Sequence, residues 1–248
     1  MKDKNKIESF FKTANTSWWN PASTYDNRSW FFGKQLEYIR RQLIKRVTTI
    51  SNSSALDAGC GRGVHSELLA SLGCVVTSLD LNREMLQLTN DICDTRLVEG
   101  SIMDMPFEPE SFDIILSVGT TMHVLSVDTM MSEIERVIRK NGIAIISIAN
   151  KFSLYVLWTT RLNADLVRHQ GRYHRRQFSY SEFIRIASRH GFSVLNSKGF
   201  AVVPPISLKV GWRWNIIPPL LSRIMSLPFD WILGKYFGCG VTFVLKKM

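Results

Sequence analysis

The chain has 248 residues, 45% of them hydrophobic, which is enough to bury one sizeable α/β core and too little for two full domains. Its 31 Lys and Arg against 21 Asp and Glu give a formal charge of +10, a balance that suits nucleic acid or an anionic membrane, yet the basic clusters at Lys2 to Lys12, Arg40 to Arg46, Arg168 to Arg176 and Lys246-Lys247 sit in no zinc knuckle, RNA-recognition signature or helix-turn-helix pattern. Four cysteines, Cys60, Cys74, Cys93 and Cys239, lack metal-ligand spacing and follow no secretory leader, so reduced, buried thiols of a cytoplasmic protein are expected.

In chain order, residues 1–34 crowd Phe10, Phe11, Trp18, Trp19, Tyr25, Trp30, Phe31 and Phe32 among Asn, Ser and Thr. These aromatics either pack the N-terminal helices or form a lid, because ligands of open α/β sheets bind beyond the carboxyl ends of the strands, where water must be excluded. Leu36, Ile39, Leu43 and Val47 share one face of a helix over Phe31 to Val47. A short buried strand then ends at Leu56, and three glycines open a helix from Val64 to Leu72, stopped by Gly73. Cys74 to Leu79 is a second strand ending at Asp80, Asn82 caps a helix from Arg83 to Cys93, and Arg96 to Val98 is a third strand. Ser111 to Ser117 is the fourth. Asp128 or Ser126 caps a helix ending at Lys140, with Arg139 and Lys140 in its last turn, where cations complement the helix dipole. Ile143 to Ile148 is strand five, and Ser179 with Glu182 is a capping-box pattern for a helix ending at His190-Gly191. Phe192 to Leu195 and Gly240 to Leu245 are the last strands. This alternation predicts an α/β domain on a parallel sheet, divided into an N-terminal helical lid (1–46), a core (47–200), an apolar cap segment (201–237) and a final core strand (238–248). In the cap segment Pro218, Pro219 and Pro228 interrupt an apolar stretch containing Trp212, Trp214 and Trp231, and no run reaches the roughly 18 apolar residues of a membrane span. The segment either meets an amphipathic acceptor and a lipid headgroup boundary as a peripheral contact, or forms a homodimer contact or plain cap core.

The turn between the first strand and its helix, Leu56-Asp57-Ala58-Gly59-Cys60-Gly61-Arg62-Gly63, holds three glycines in five residues. Such density is costly unless backbone must take positive φ or approach a ligand. The dinucleotide fingerprint G-x-G-x-x-G sets a pyrophosphate at the helix N-terminus. Here Val64 occupies the third glycine position, and Asp57, two residues before Gly59, would repel a pyrophosphate by up to about 4 kcal/mol at ~4 Å and an effective dielectric of ~20. S-adenosylmethionine has no phosphate and carries a sulfonium and an ammonium, so an acid at the strand end suits it. Asp80, 17 residues beyond Gly63, is placed to take both ribose hydroxyls. Asp57, Gly59, Cys60, Gly61, Asp80 and Leu81 are therefore the expected core of the cofactor site, with Cys60 a small packing side chain rather than a redox centre.

Asp57 to Gly63 with Asp80 resembles the first two motifs of the class I S-adenosylmethionine-dependent methyltransferases. Gly100-Ser101-Ile102-Met103-Asp104-Met105-Pro106-Phe107 is similar to that family's adenine-edge segment, Ser111 to Ser117 to its fourth strand, and Ile134 to Gly142 to its helix and glycine turn before strand five. The likeness covers about Ser54 to Ile148 and, more weakly, continues to Phe200. It implies a Rossmann-like, seven-stranded, mostly parallel sheet in the order 3-2-1-4-5-7-6, strand seven antiparallel, with helices on both faces and helical caps at both termini. It also implies S-adenosylmethionine as cofactor, with Ser101, Ile102 and Ser117 as further contacts. The family usually has Asp directly after the glycine of the adenine segment; here it is Ser101, so either Ser101 accepts from the adenine amino group or Asp104 reaches round to it.

Methyl transfer from a sulfonium is an in-line displacement, and the protein's part is alignment and a dry site. A hydroxyl acceptor also needs a base. His123, in Gly119-Thr120-Thr121-Met122-His123-Val124 just past strand four, is the catalytic candidate, since histidine ordinarily titrates at about 6.5. Its alternative is a structural histidine closing the loop. His169 and His174 lie in a later basic loop within reach of the same acceptor, or solvated. Trp18-Trp19, His123-Val124 and Arg172 to Phe183 weakly resemble the quinone-biosynthesis O-methyltransferases, which carry acidic residues before the histidine that favour a divalent metal; Thr120 and Thr121 here imply transfer without a metal. The expected function is therefore methyl transfer to a small or amphipathic acceptor, foremost at oxygen, with C- or N-methylation as alternatives. A base-amino nucleic-acid methyltransferase would show Asp/Asn-Pro-Pro-Tyr/Phe where this chain has Ser117-Val118-Gly119-Thr120, so no nucleic acid partner is expected. Intact Asp57, Gly59, Gly61 and Asp80 argue against a non-catalytic methyltransferase-like subunit.

Overall fold

Successive apolar residues of the central strands point to opposite faces, as the two-residue repeat of a strand requires. Leu56, Ile115, Ile146 and Phe243 turn into one buried cluster, and their neighbours Ala55, Ile114, Ile145 and Val244 into another. Both faces of the sheet are thus apolar and both must be covered. The computed structural model describes residues 27–153, 176–200 and 233–248, with side chains from residue 33 onward in the first stretch.

The elements are α1 (Asn27–Arg46), β1 (Ser54–Ala58), α2 (Val64–Ser71), β2 (Val75–Asp80), α3 (Arg83–Asn90), β3 (Arg96–Glu99), β4 (Phe112–Ser117), α4 (Val127–Val137), β5 (Ile138–Ala149), α5 (Tyr180–Arg189), β6 (Phe192–Phe200), α6 (Gly234–Phe237) and β7 (Gly240–Lys247). The strands form one sheet in the order β3-β2-β1-β4-β5-β7-β6, as the family likeness implied. β7 runs antiparallel to both β5 and β6, and every other pairing is parallel. Tyr38, Ile39 and Leu43 of α1 pack with Leu68 and Leu69 of α2 on one face. Met130, Ile134 and Val137 of α4 and Phe183 and Ala187 of α5 fill the other, where the Phe183 and Phe243 rings lie 4.7 Å apart. Each of the Leu, Ile, Val, Met and Phe side chains among these, fully buried, contributes on the order of 1.5–3 kcal/mol.

Several boundaries differ from the expected ones. The helix expected to reach Lys140 ends at Val137, because Ile138 is wholly buried and pairs with Phe112 as the first residue of β5. Arg139 and Lys140 therefore lie in strand rather than in a helical last turn, and Arg136 is the cation there. Asn141, not Gly142, takes the positive φ, 65°, before the strand continues. Between Asp128 and Ser126 the cap is Ser126, whose side chain accepts from the Thr129 N–H. α3 stops at Asn90 rather than Cys93, while Asn82 caps it as expected, accepting from the Glu84 and Met85 N–H groups. Ser179 and Glu182 form the full capping box of α5.

The carboxyl ends of the parallel strands lie along one edge, where Asp57, Asp80, Gly100 and Ser117 gather. Described residues that flank 154–175 adjoin this edge: the Arg176 N–H donates to the Met122 carbonyl at 3.1 Å, in the turn after β4. The aromatic stretch before residue 27, His169, His174 and the cap segment 201–232 lie outside the described residues. Of the cap, Leu233 to Phe237 is described, and α6 packs so closely on β6 that a Cβ on Gly199 would collide with the Gly234 backbone. Among the described residues no helix is long and apolar enough to cross a membrane.

Candidate cofactor and active site

Parallel pairing of β1 with β2 and β4 sets the glycine turn between two strand ends. The Gly59 and Cys60 N–H groups donate to the Leu79 carbonyl at 2.8 and 3.0 Å, so the turn folds over the end of β2. Gly59, Gly61 and Gly63 all take positive φ, at 81°, 54° and 79°. Their surroundings separate their roles. A Cβ on Gly59 would strike the Thr120 side chain at 2.5 Å, and one on Gly63 the Thr89 side chain at 2.7 Å, whereas one on Gly61 would meet no atom within 4 Å among the described residues. Gly59 and Gly63 are thus required by packing as well as by φ, and Gly61 alone of the three faces open space.

Asp80 closes this cradle from β2. Its Oδ2 accepts from the Gly61 N–H and its Oδ1 from the Asn82 N–H, each at 2.9 Å. Burial raises its pKa, against the pull of the N–H groups of Asn82, Gly61 and Leu81, which favour the carboxylate. Each carboxylate oxygen offers more than one acceptor site, so these bonds leave capacity for hydroxyl donors. Half-buried Leu81 follows at the rim.

Asp57 lies deeper than a rim residue. It is 1% exposed, and its Oδ2 accepts from Ser66 Oγ at 2.7 Å, at the start of a hydroxyl chain through Ser78 (2.8 Å) to Thr95 (3.0 Å). Burial first, and the neighbouring Asp80 charge second among the raising causes, push its carboxyl up to about 7, although the Ser66 bond pulls the other way. A cation above the turn would favour its ionised form. Burial also pushes the Cys60 thiol up, so it is a protonated packing group 3.6 Å from Thr89 Oγ1.

On the far side of the turn, Thr120 Oγ1 donates to the Ala58 carbonyl at 3.3 Å and Thr121 Oγ1 to the Ser147 carbonyl at 2.7 Å. Ser147 Oγ in turn accepts from the Gly119 N–H at 2.7 Å. These bonds fold residues 119–123 over the ends of β4 and β5, and the His123 N–H closes the turn on the Thr120 carbonyl at 2.9 Å. The His123 ring is half-buried. Ser117, at the end of β4, is fully buried, and its hydroxyl has no hydrogen-bond partner among the described residues. A buried hydroxyl so placed needs a partner, which a ligand at this edge can supply.

At the adenine-edge segment, the Gly100 N–H donates to the Asp80 carbonyl at 3.0 Å. Ser101 Oγ accepts from the Met103 N–H at 3.2 Å, which shapes the turn and occupies part of the hydroxyl's accepting capacity. Ile102 buries its side chain in the core, so what it offers a ligand is main chain. Asp104 is exposed on the turn.

Four residues holding this site were absent from the expected set: Ser66 and Thr89, which brace Asp57 and the Gly61 carbonyl, and Glu133 and Arg136, which hold the adenine-edge segment. Ser66 and Thr89 carried a signal, since each puts a hydroxyl on the buried face of its helix. Among the described residues no three His, Cys, Asp or Glu side chains gather as metal ligands.

The family model described as a methyltransferase domain matches residues 56–146. A ubiquinone biosynthesis O-methyltransferase of Coxiella burnetii is 26% identical over 212 residues, covering 82% of this chain and 87% of that protein. One of Pelagibacter ubique is 27% identical over 159 residues, covering 60% and 66% respectively. Among solved structures, magnesium protoporphyrin IX methyltransferase from Synechocystis PCC 6803 with bound SAH matches with a TM-score of 0.67 at 14% identity, over 99% of this chain and 100% of that one. The same protein with bound SAM matches with a TM-score of 0.65 at 12% identity, over 100% and 98%. The open cradle at Gly61 and the carboxylate beside it fit S-adenosylmethionine. The chain is a class I S-adenosylmethionine-dependent methyltransferase with its methyltransferase domain over residues 56–146.

Proposed function

We propose that this enzyme methylates an oxygen of a small or amphipathic acceptor, a hydroxylated ring bearing an apolar group, without a metal ion. The bound cofactor supplies an activated methyl on a sulfonium, which leaves alignment, exclusion of water and removal of the acceptor's proton to the chain. Thr120 carries the reading: its hydroxyl bond to Ala58 and its contact with Gly59 tie the turn bearing His123 to the glycine turn. An acceptor hydroxyl docked across that contact meets His123 on the side where the methyl is presented, and the imidazole takes its proton.

In this assignment the main chain of Gly59, Cys60 and Gly61 lines the donor, and Asp80 accepts from the ribose hydroxyls. Leu81, Ser101 and Ile102 edge the adenine. Asp57 lies under the cationic end, and Ser117 Oγ finds its partner on the ligand. Support for oxygen as the target comes from the relatives, which are named as ubiquinone biosynthesis O-methyltransferases. Support for metal-free transfer comes from Thr120 and Thr121, neutral hydroxyls committed to backbone carbonyls.

The test is incubation with isotopically labelled donor and a panel of phenols with and without apolar tails, followed by mass spectrometry of the products. Label in a methyl ether is the expected result. Label on carbon or nitrogen, or none in any phenol, contradicts it.

A further inference from the structure

The segment 101–107 enters the site from β3 and must present its main chain at a fixed height to read a purine. Its first half is held by its own turn, with an Asp104 N–H to Ser101 carbonyl bond of 3.1 Å, and by the buried side chains of Ile102 and Met105. Its second half is held differently. Arg136 of α4 donates from Nη1 to the Phe107 carbonyl at 2.6 Å and from Nη2 to the Met105 carbonyl at 2.9 Å. Glu133, one turn earlier, accepts from the Met105 N–H at 2.7 Å, and the two side chains pair through Nε to Oε1 (2.8 Å) and Nη2 to Oε2 (2.7 Å).

We propose that Glu133 and Arg136 are positioning residues for the nucleobase end of the cofactor. Together they take both polar groups of the Met105 main chain and the Phe107 carbonyl, leaving the loop one height relative to β2 and β3. This rests on reading residues 101–107 as the adenine edge. The planar guanidinium matters, because it meets one carboxylate through two nitrogens while spanning two carbonyls, a fork that a lysine ammonium cannot reproduce. The pair is partly exposed, at 33% and 18% for the Arg136 and Glu133 side chains, so its role is geometric placement rather than a large share of fold stability.

The test compares two ligands that differ only in the base. S-adenosylhomocysteine and S-ribosylhomocysteine are titrated against the wild type, Arg136→Lys, Arg136→Gln and Glu133→Gln, with melting temperature as a folding control. Arg136→Gln is expected to weaken S-adenosylhomocysteine at least tenfold and S-ribosylhomocysteine less than twofold. Glu133→Gln, which keeps the carbonyl contacts, should move in the same direction by a smaller factor, and Arg136→Lys should fall between. In turnover, KM for the donor rises while kcat is nearly unchanged. Equal weakening of both ligands, or unchanged binding of S-adenosylhomocysteine in a folded variant, overturns the proposal. Should Arg136→Gln not fold, Glu133→Gln decides on the same criteria. A wild type that binds neither ligand overturns the cofactor site itself, a different outcome from a wild type that binds and variants that do not discriminate.

Discussion

Asp80 Oδ2 accepts from the Gly61 N–H at 2.9 Å, across 19 residues of chain, so the carboxylate at the end of β2 fixes the one glycine of the turn whose α-carbon faces open space. One side chain thereby shapes the cradle and presents its remaining lone pairs to what enters it.

The three glycines of the turn should respond differently to the same substitution. Gly61→Ala keeps the fold, with a penalty of about 1 kcal/mol for a side chain at positive φ, and weakens S-adenosylhomocysteine at least tenfold because the new methyl fills ligand space. Gly59→Ala and Gly63→Ala lower the melting temperature more, since their Cβ atoms collide with Thr120 and Thr89. Melting curves beside binding titrations separate the two; undiminished binding in folded Gly61→Ala would mean that this glycine serves backbone conformation alone.

Asp57 gives the apo protein a pH signature. Its carboxyl is pushed up to about 7 in the fold from an ordinary value of 3.8, so the folded state holds the proton more tightly than the unfolded one. The associated stability is fully present below about pH 4 and is lost as pH rises toward 7, by roughly 4 kcal/mol at most. Asp57→Asn keeps an acceptor for Ser66 and removes this dependence, so its melting temperature should exceed the wild type's at pH 8 and the gap should close by pH 5. Parallel pH profiles for the two proteins contradict the assignment.

His123→Ala should lower turnover by roughly 10²-fold or more with donor affinity nearly unchanged, as loss of a general base does. Steady-state kinetics with a fixed acceptor measures it. Normal turnover with weakened donor binding would instead make His123 a support of the turn after β4.

Thr89→Val keeps the shape of the side chain and removes the hydroxyl that reaches the Gly61 and Met85 carbonyls, each at 3.1 Å. Leaving the Gly61 carbonyl without this donor should cost about 1–2 kcal/mol of stability and loosen the turn, so both denaturant midpoint and donor affinity fall. Unchanged values for both would show that the hydroxyl is dispensable.

The strands and the glycine turn were legible in the sequence because they rest on local signals: short apolar runs, caps at Asn82 and Ser179, and glycines where φ turns positive; the strand order followed only from the family likeness. The end of α4 was not, because Arg139 and Lys140 suit a helical last turn, and only the cross-sheet pairing of Ile138 with Phe112 pulls the chain into strand. Asp57 at the end of β1 was legible by its place in the chain but not as a buried residue, since its burial depends on Ser66 and Ser78 arriving from α2 and β2. Arg136 and Glu133 were invisible as loop supports for the same reason: a charged pair one turn apart is an ordinary helix surface until a second segment lays its carbonyls against it.

The most direct test of the central claim is calorimetric titration of the metal-free protein with S-adenosylmethionine and S-adenosylhomocysteine, alone and as Asp80→Ala. The site described predicts saturable binding of both ligands by the wild type, and in the variant a loss of about 2–4 kcal/mol, or roughly 30- to 1,000-fold in affinity, as charge-assisted bonds to the ribose and the brace on Gly61 go together. No heat of binding in the wild type, or equal affinity in folded Asp80→Ala, contradicts it.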